Sequence, residues 1–276
     1  MRSEAIARAD SPITMPSAGQ DLPAYFEQAD CEIHGHYESR VTTIFKKRFQ
    51  TTCPKCSVER RVQEEAAELA EKSRDARIAM EHKLGSAMIP KRFADRSFAD
   101  YKAENDGQRE ALRICRKYAE VFQEIYKSGR CLLLLGKPGT GKTHLAAAIA
   151  NQIMAETAAT AVYRTVGSIL HAIRATYDKG AEQSEAKILS TLVSPSLLIL
   201  DEIGVTKEKP SDFELTTLFA IINGRYEQQR PTVVVSNLKA EELPAAIGER
   251  SFDRLREGGG IAVKFDWESQ RGKEAF

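Results

Sequence analysis

The stretch Cys131-Leu-Leu-Leu-Leu-Gly-Lys-Pro-Gly-Thr-Gly-Lys-Thr143 decides how this chain is read. An apolar run, Cys131 to Leu135, spells a buried strand. It leads straight into G-K-P-G-T-G-K-T, a complete phosphate-binding loop of the form G-x-x-x-x-G-K-[ST]. The residues that follow, His144-Leu-Ala-Ala-Ala-Ile-Ala150, are strong helix formers. The order matters chemically. Gly136, Gly139 and Gly141 let the backbone curl around Lys137, Pro138 and Thr140, so that N–H groups face inward at phosphate. The helix start at Lys142, Thr143 and His144 adds the positive end of its dipole. Lys142 is expected to reach the β- and γ-phosphates and Thr143 to set its hydroxyl on Mg²⁺. Strand, loop and helix in this order imply a site for a nucleoside triphosphate, ATP, with Mg²⁺.

Two further strands end in polar residues. Leu197-Leu-Ile-Leu200 runs into Asp201-Glu202, and Thr232-Val-Val-Val235 runs into Ser236-Asn237. Acids at the carboxyl edge of a parallel sheet lie where ligands bind. Asp201 is the expected magnesium-side carboxylate and Glu202 the group that orients or deprotonates the attacking water. Asn237 is placed to touch the γ-phosphate or the same water. Phosphoryl transfer also needs a cation on the developing charge, often an arginine from a neighbouring subunit. Gly248-Glu-Arg250-Ser-Phe-Asp-Arg254-Leu-Arg256 offers three, of which Arg250 is the choice.

With strands at Ala161–Thr165 and Ile261–Phe265, five strands alternate with the helix that follows the P-loop and with helices over about 167–177, 182–192 and 212–228, the pattern of a parallel sheet covered on both faces. The fold class is therefore α/β, a P-loop NTPase. The chain after Phe265 is too short for a helical lid over the nucleotide. A helix over 107–127 carries Leu112, Cys115, Ala119, Phe122 and Tyr126 on one face, and Cys115 and Cys131 read as small core hydrophobes. Ahead of it, Phe93, Phe98 and Tyr101 are expected to plug an extended segment onto the core.

Towards the amino terminus lies a second module. Cys31-Glu-Ile-His34-Gly-His36 is followed, at hairpin distance, by Cys53-Pro-Lys-Cys56. Two such knuckles have the spacing of a structural zinc site, with Cys31, His34, Cys53 and Cys56 as ligands and His36 also within reach. The stretch between is basic, with Arg40, Lys46, Lys47 and Arg48. Four closed ligands would hold together a module too small for a core of its own. The expected organisation is a disordered tail over 1–30, a zinc module over 31–57, a charged solvated helix over 58–88, and an ATPase domain over 89–276. The helix has a thin apolar line at Val58, Val62, Ala66, Leu69, Ala76, Met80 and Leu84.

The 276 residues carry a formal net charge of +1, so no global field drives the chain onto nucleic acid or membrane. No apolar run approaches the ~18 residues of a spanning helix, and the start lacks the apolar core of a signal peptide. Five cysteines, two of them in C-P-x-C, favour metal in a reducing compartment over disulfides, so the cytoplasm is the expected address.

Taken together, Ile89-Pro-Lys-Arg-Phe, G-K-P-G-T-G-K-T-H-L, L-I-L-D-E-I-G, V-S-N-L, I-G-E-R-S-F-D-R-L and F-D-W-E-S-Q-R resemble the AAA+ ATPases of the DnaC type, loaders of the bacterial replicative helicase. The Cys-His/Cys-Cys element resembles the metal knuckle of phage-type members. The resemblance implies an AAA+ core without a carboxyl-terminal lid. It implies an ATP-controlled clamp that binds a hexameric helicase through its amino-terminal part and single-stranded DNA through the ATPase. It also implies self-assembly, with Arg250 acting in trans. By position in related rings, the stretch from Val166 to Ser194, with His171, Arg174, Tyr177, Lys179 and Lys187, is the candidate DNA surface. One departure is Gln270, where the family carries a tyrosine. Two alternatives remain. One is an IstB-like transposition helper ATPase, which shares the core and V-S-N. The other is a zinc-bearing DNA-binding adaptor with a vestigial ATPase, against which intact Lys142, Thr143, Asp201, Glu202 and Asn237 speak.

Overall fold

The computed structural model describes residues 24–44, 47–178, 180–205 and 209–270. They belong to two compact units, divided between residues 76 and 77.

The first unit holds an antiparallel sheet of β1 (Tyr25–Cys31), β2 (Gly35–Ile44) and β3 (Lys47–Gln50), followed by the start of α1 (Pro54–Ala87). A tight turn joins β1 to β2, with Gly35 at φ +75°, a conformation glycine adopts without strain, and it sets Cys31 opposite Gly35. Little is buried here: Ser39, Val41 and Cys53 form the inside, and the Ser39 hydroxyl donates to Thr51 O at 2.9 Å. Pro54 opens α1, where its missing N–H costs nothing, and this draws Cys56 into the first turn. Two expectations are corrected. Residues 25–30 are strand, whereas 1–30 was expected to be disordered; residues 1–23 lie outside the described residues, as does Lys46. The helix expected from 58 starts at Pro54. Val58, Val62 and Leu69 on it are exposed, as a solvated helix requires.

The second unit is a parallel sheet in the order β5-β6-β7-β4-β8, with β4 Leu132–Gly136, β5 Ala161–Thr165, β6 Leu197–Ile203, β7 Thr232–Ser236 and β8 Ile261–Phe265. Alternate residues of each strand face opposite layers. Leu132 and Leu134 pack with α2 (Asp106–Glu120), α3 (Phe122–Ser128) and α4 (Lys142–Glu156). Leu133 and Leu135 pack against the other layer: α5 (Val166–Ala175), α6 (Glu185–Val193), α7 (Asp212–Glu227), α8 (Leu243–Ile247) and α9 (Glu249–Glu257). Phe98 and Tyr101 are buried in the first layer and Phe93 is half-buried, as expected of the plug. The single helix expected over 107–127 is two, because the backbone at Val121 (φ −100°, ψ 25°) leaves helical geometry. Tyr126 is exposed, and Tyr118 and Ile125 take buried positions. Cys115 and Cys131 are buried, and burial pushes the Cys115 thiol up to about 12.

Arg225 fixes the lower edge of this sheet. Its guanidinium, 1% exposed, donates to Leu192 O, Pro195 O and Pro231 O at 2.9, 2.9 and 2.6 Å and to Thr232 Oγ1 at 3.0 Å. It thereby pairs carbonyls left open at the end of α6 and ahead of β7. Among the described residues no acid balances it, and burial lowers its pKa to about 9.

Candidate nucleotide and metal sites

β4 delivers the chain to the loop at the carboxyl edge of the sheet. Gly136, Gly139 and Gly141 have φ of +126°, +75° and +93°, all in territory that side chains avoid. Gly141 caps α4, whose first N–H groups have no intrahelical partner and face the loop. Lys142 is 5% exposed, and its Nζ donates to Gly136 O at 2.7 Å and Lys137 O at 2.6 Å. His144 Nε2 lies 3.0 Å from Ser97 O, and its ring meets Tyr101 edge-on. On the same helix Asn151 donates to Ala94 O and Arg96 O, both at 2.9 Å, so α4 grips the segment that precedes α2.

The acids stand where the sheet order puts them. β7 lies between β4 and β6, which brings the ends of all three strands to one edge. Asp201, 5% exposed, accepts at Oδ2 from Thr143 Oγ1 at 2.9 Å and from the Tyr163 hydroxyl at 2.6 Å. Burial and the Asp201 carboxylate push the Tyr163 phenol far up, so it remains a donor. Asp201 Oδ1 accepts from the Glu202 N–H at 2.6 Å. Glu202 itself has φ +61°, a strained value for a side-chain-bearing residue, and the β6–β7 register breaks between Leu200 and Ile203. In a regular strand neighbouring acids point to opposite faces; the irregularity re-aims Glu202, which is exposed. Hard oxygen donors from Thr143 and Asp201 suit Mg²⁺, whose charge would offset that of bound phosphates.

In the first unit Cys31, His34, Cys53 and Cys56 converge, with ligand atoms all within 4.8 Å of one another. Cys31 Sγ lies 3.4 Å from Cys56 Sγ, and His34 Nδ1 lies 3.2 Å from Cys56 Sγ and 3.7 Å from Cys53 Sγ. Tetrahedral bonds of ordinary Zn–S and Zn–N length set sulfur pairs about 3.8 Å and sulfur–nitrogen pairs about 3.5 Å apart, within a few tenths of an ångström of these separations, so the donor set fits zinc. The backbone N–H of His34 points at Cys31 and lowers its pKa to about 6, whereas the hydrogen bond shared with Cys31 raises Cys56 to about 11. His34 turns its other nitrogen to Glu59 Oε1 at 3.0 Å, which fixes the tautomer that leaves Nδ1 free to ligate. His36 is not brought in; it pairs with Asp30.

A family model described as IstB-like ATP binding protein matches residues 43–255. The chain belongs to that family. Among its relatives, the replicative helicase loader DnaC of Buchnera aphidicola subsp. Acyrthosiphon pisum (strain APS) is 34% identical over 194 residues, 70% of this chain and 76% of the relative. The replicative helicase loader DnaC of Escherichia coli (strain K12) is 37% identical over 177 residues, 64% of this chain and 69% of the relative. A crystal structure of the DnaC helicase loader aligns with a TM-score of 0.56 at 23% identity, covering 64% of this chain and 99% of that chain. It has the same fold. The chain is thus an IstB-like, DnaC-type AAA+ protein with an ATP-binding P-loop.

Other expected residues of this IstB-like chain are distributed less tightly. Asn237 follows β7 at the carboxyl edge of the sheet and is exposed. Arg250 sits exposed in the first turn of α9 and makes no ion pair among the described residues. Arg254 donates to Glu257 at 3.0 Å and lies 4.2 Å from the Tyr226 ring, and Arg256 covers Phe252 at 5.4 Å. In the 166–194 stretch, Arg174 and Tyr177 meet around Phe213, at 5.2 and 6.5 Å, while Lys179 lies outside the described residues. Sequence reasoning missed Tyr163, Glu59 and Trp267, each of which touches a site residue.

Proposed function

We propose that this chain is an ATP-driven loader that places a hexameric replicative helicase on single-stranded DNA in the cytoplasm. The observation that carries the reading is the likeness to curated DnaC loaders over 194 residues, coupled to a complete set of phosphate-site side chains. Lys142 holds phosphate, Thr143 and Asp201 hold Mg²⁺, Glu202 works on the attacking water, and Asn237 senses the γ-phosphate. Arg250, which among the described residues lacks the intrachain contacts that occupy Arg254 and Arg256, serves a neighbouring subunit's nucleotide. Zinc at Cys31, His34, Cys53 and Cys56 is structural, because four ligands leave no open position. The zinc module and charged helix form the helicase-binding part, residues 89–276 the ATPase. Arg174 and Tyr177, gathered beside Phe213, supply a cation and a ring to single-stranded DNA.

A second reading, a helper ATPase for a transposase, is favoured by the name of the matching family model. Immobilised full-length chain, with ATP and Mg²⁺, should retain a replicative helicase and not an IS21-type transposase. Retention of the transposase alone would install the second reading.

A further inference from the structure

The terminal stretch Phe265-Asp-Trp-Glu-Ser-Gln270 has no part in the chemistry assigned above, yet it lies on the P-loop. β8 pairs with β4 so that Phe265 stands beside Gly136. From there the chain crosses the outer side of the loop. Phe265 O accepts from the Lys137 N–H at 2.8 Å. The Trp267 Nε1–H donates to Thr140 O at 3.1 Å, and the Tyr101 hydroxyl donates to the same oxygen at 3.2 Å. The Gln270 N–H donates to Gly139 O at 2.8 Å. A side chain on Gly139 would collide with the Ser269 hydroxyl, and one on Gly141 with the Tyr101 ring. Trp267 and Tyr101, each 9% exposed, are anchored in the same buried cluster.

These contacts bear on phosphate through peptide geometry. In a planar trans peptide the C=O of one residue and the N–H of the next point in opposite directions. Holding Gly139 O and Thr140 O outward therefore holds the N–H groups of Thr140 and Gly141 inward, the orientation an anion cradle requires. We propose that the strap Trp267–Gln270, together with Tyr101, is a positioning element of the phosphate cradle, acting on nucleotide through the loop's outward carbonyls. It rests on ATP binding at this loop. The contact at position 270 uses the backbone N–H, which any residue but proline supplies.

The test uses the full-length chain with Mg²⁺ and ATP. Trp267 is the sole tryptophan, so its emission should change as ATP binds to the wild type. Trp267→Phe and Tyr101→Phe keep a ring and remove one donor; Gln270→Pro removes the backbone donor, and Gln270→Ala retains it. Affinity for ATP by titration calorimetry should fall about two- to tenfold in each phenylalanine variant, the scale of one hydrogen bond. Gln270→Pro should weaken ATP binding more than Gln270→Ala. The melting midpoint without nucleotide should fall by only a few degrees, as loss of about one hydrogen bond does in a domain of this size. Wild-type affinity in both phenylalanine variants overturns the inference alone. A lowered midpoint without nucleotide, with affinity intact, would show a purely structural strap and also overturn it. A wild type that binds no ATP would remove the nucleotide reading and this inference with it.

Discussion

Thr143 and Asp201, on different elements and far apart in the chain, meet at 2.9 Å, the hydroxyl of one donating to Oδ2 of the other. The contact links the first turn of α4 to the end of β6 and sets side by side the two oxygens proposed to hold a divalent cation. Asp201→Asn should raise the Mg²⁺ concentration for half-maximal ATP binding about tenfold or more. Tyr163→Phe, which removes the second donor to Oδ2, should raise it less, by about the worth of one hydrogen bond. A magnesium titration of nucleotide affinity checks both; an unshifted curve for Asp201→Asn would refute the metal assignment.

The tasks proposed for Lys142 and Glu202 are separable. Lys142→Ala should abolish ATP binding, because the amine held inside the loop on Gly136 O and Lys137 O is the proposed phosphate contact. Glu202→Gln should bind ATP and lose turnover, because an amide cannot take a proton from water. Parallel binding and phosphate-release assays distinguish the two, and equal loss of binding would reverse the roles.

The metal module should carry one Zn²⁺ per chain. His34→Ala should lose it and His36→Ala should keep it, since His36 pairs with Asp30 away from the cluster. Glu59→Ala should lower zinc affinity about 10- to 100-fold by freeing the His34 ring. Metal analysis of chelator-free preparations, with competition against a zinc dye, measures all three. Loss of metal in His36→Ala with retention in His34→Ala would contradict the ligand set.

Arg250 should act across a subunit boundary. Arg250→Ala chains bind ATP without supplying a finger, and Lys142→Ala chains supply a finger without binding ATP. Mixed assemblies should recover part of the turnover, against a loss of about a thousandfold or more in Arg250→Ala alone. No recovery at any ratio, with assembly verified by sizing, moves the finger elsewhere.

The sheet and the P-loop were legible because each central strand is an apolar run ending in its functional residue. Leu197–Leu200 announces Asp201 without any tertiary knowledge. β1 was missed for the opposite reason: Tyr25 and Phe26 are exposed, so no burial period marks the strand, and its order comes from pairing with β2. Tyr163 reads locally as a core aromatic. Its contact with Asp201 depends on the β5–β6 register, which aligns Tyr163 with Ile199. The strap over the P-loop was illegible because it depends on β8 lying beside β4, a pairing between distant segments. The break at Val121 left no trace in a helical period that continues through α3.

The most direct measurement is helicase deposition on circular single-stranded DNA, which offers no free end to thread. Purified replicative helicase, full-length chain, Mg²⁺ and ATP are combined with the circles, and DNA-bound helicase is quantified after gel filtration. Wild-type chain should raise bound helicase well above the level without loader, and Lys142→Ala should leave it at that level. Helicase deposition that is the same with wild type, with Lys142→Ala and with no loader would contradict the loader function outright.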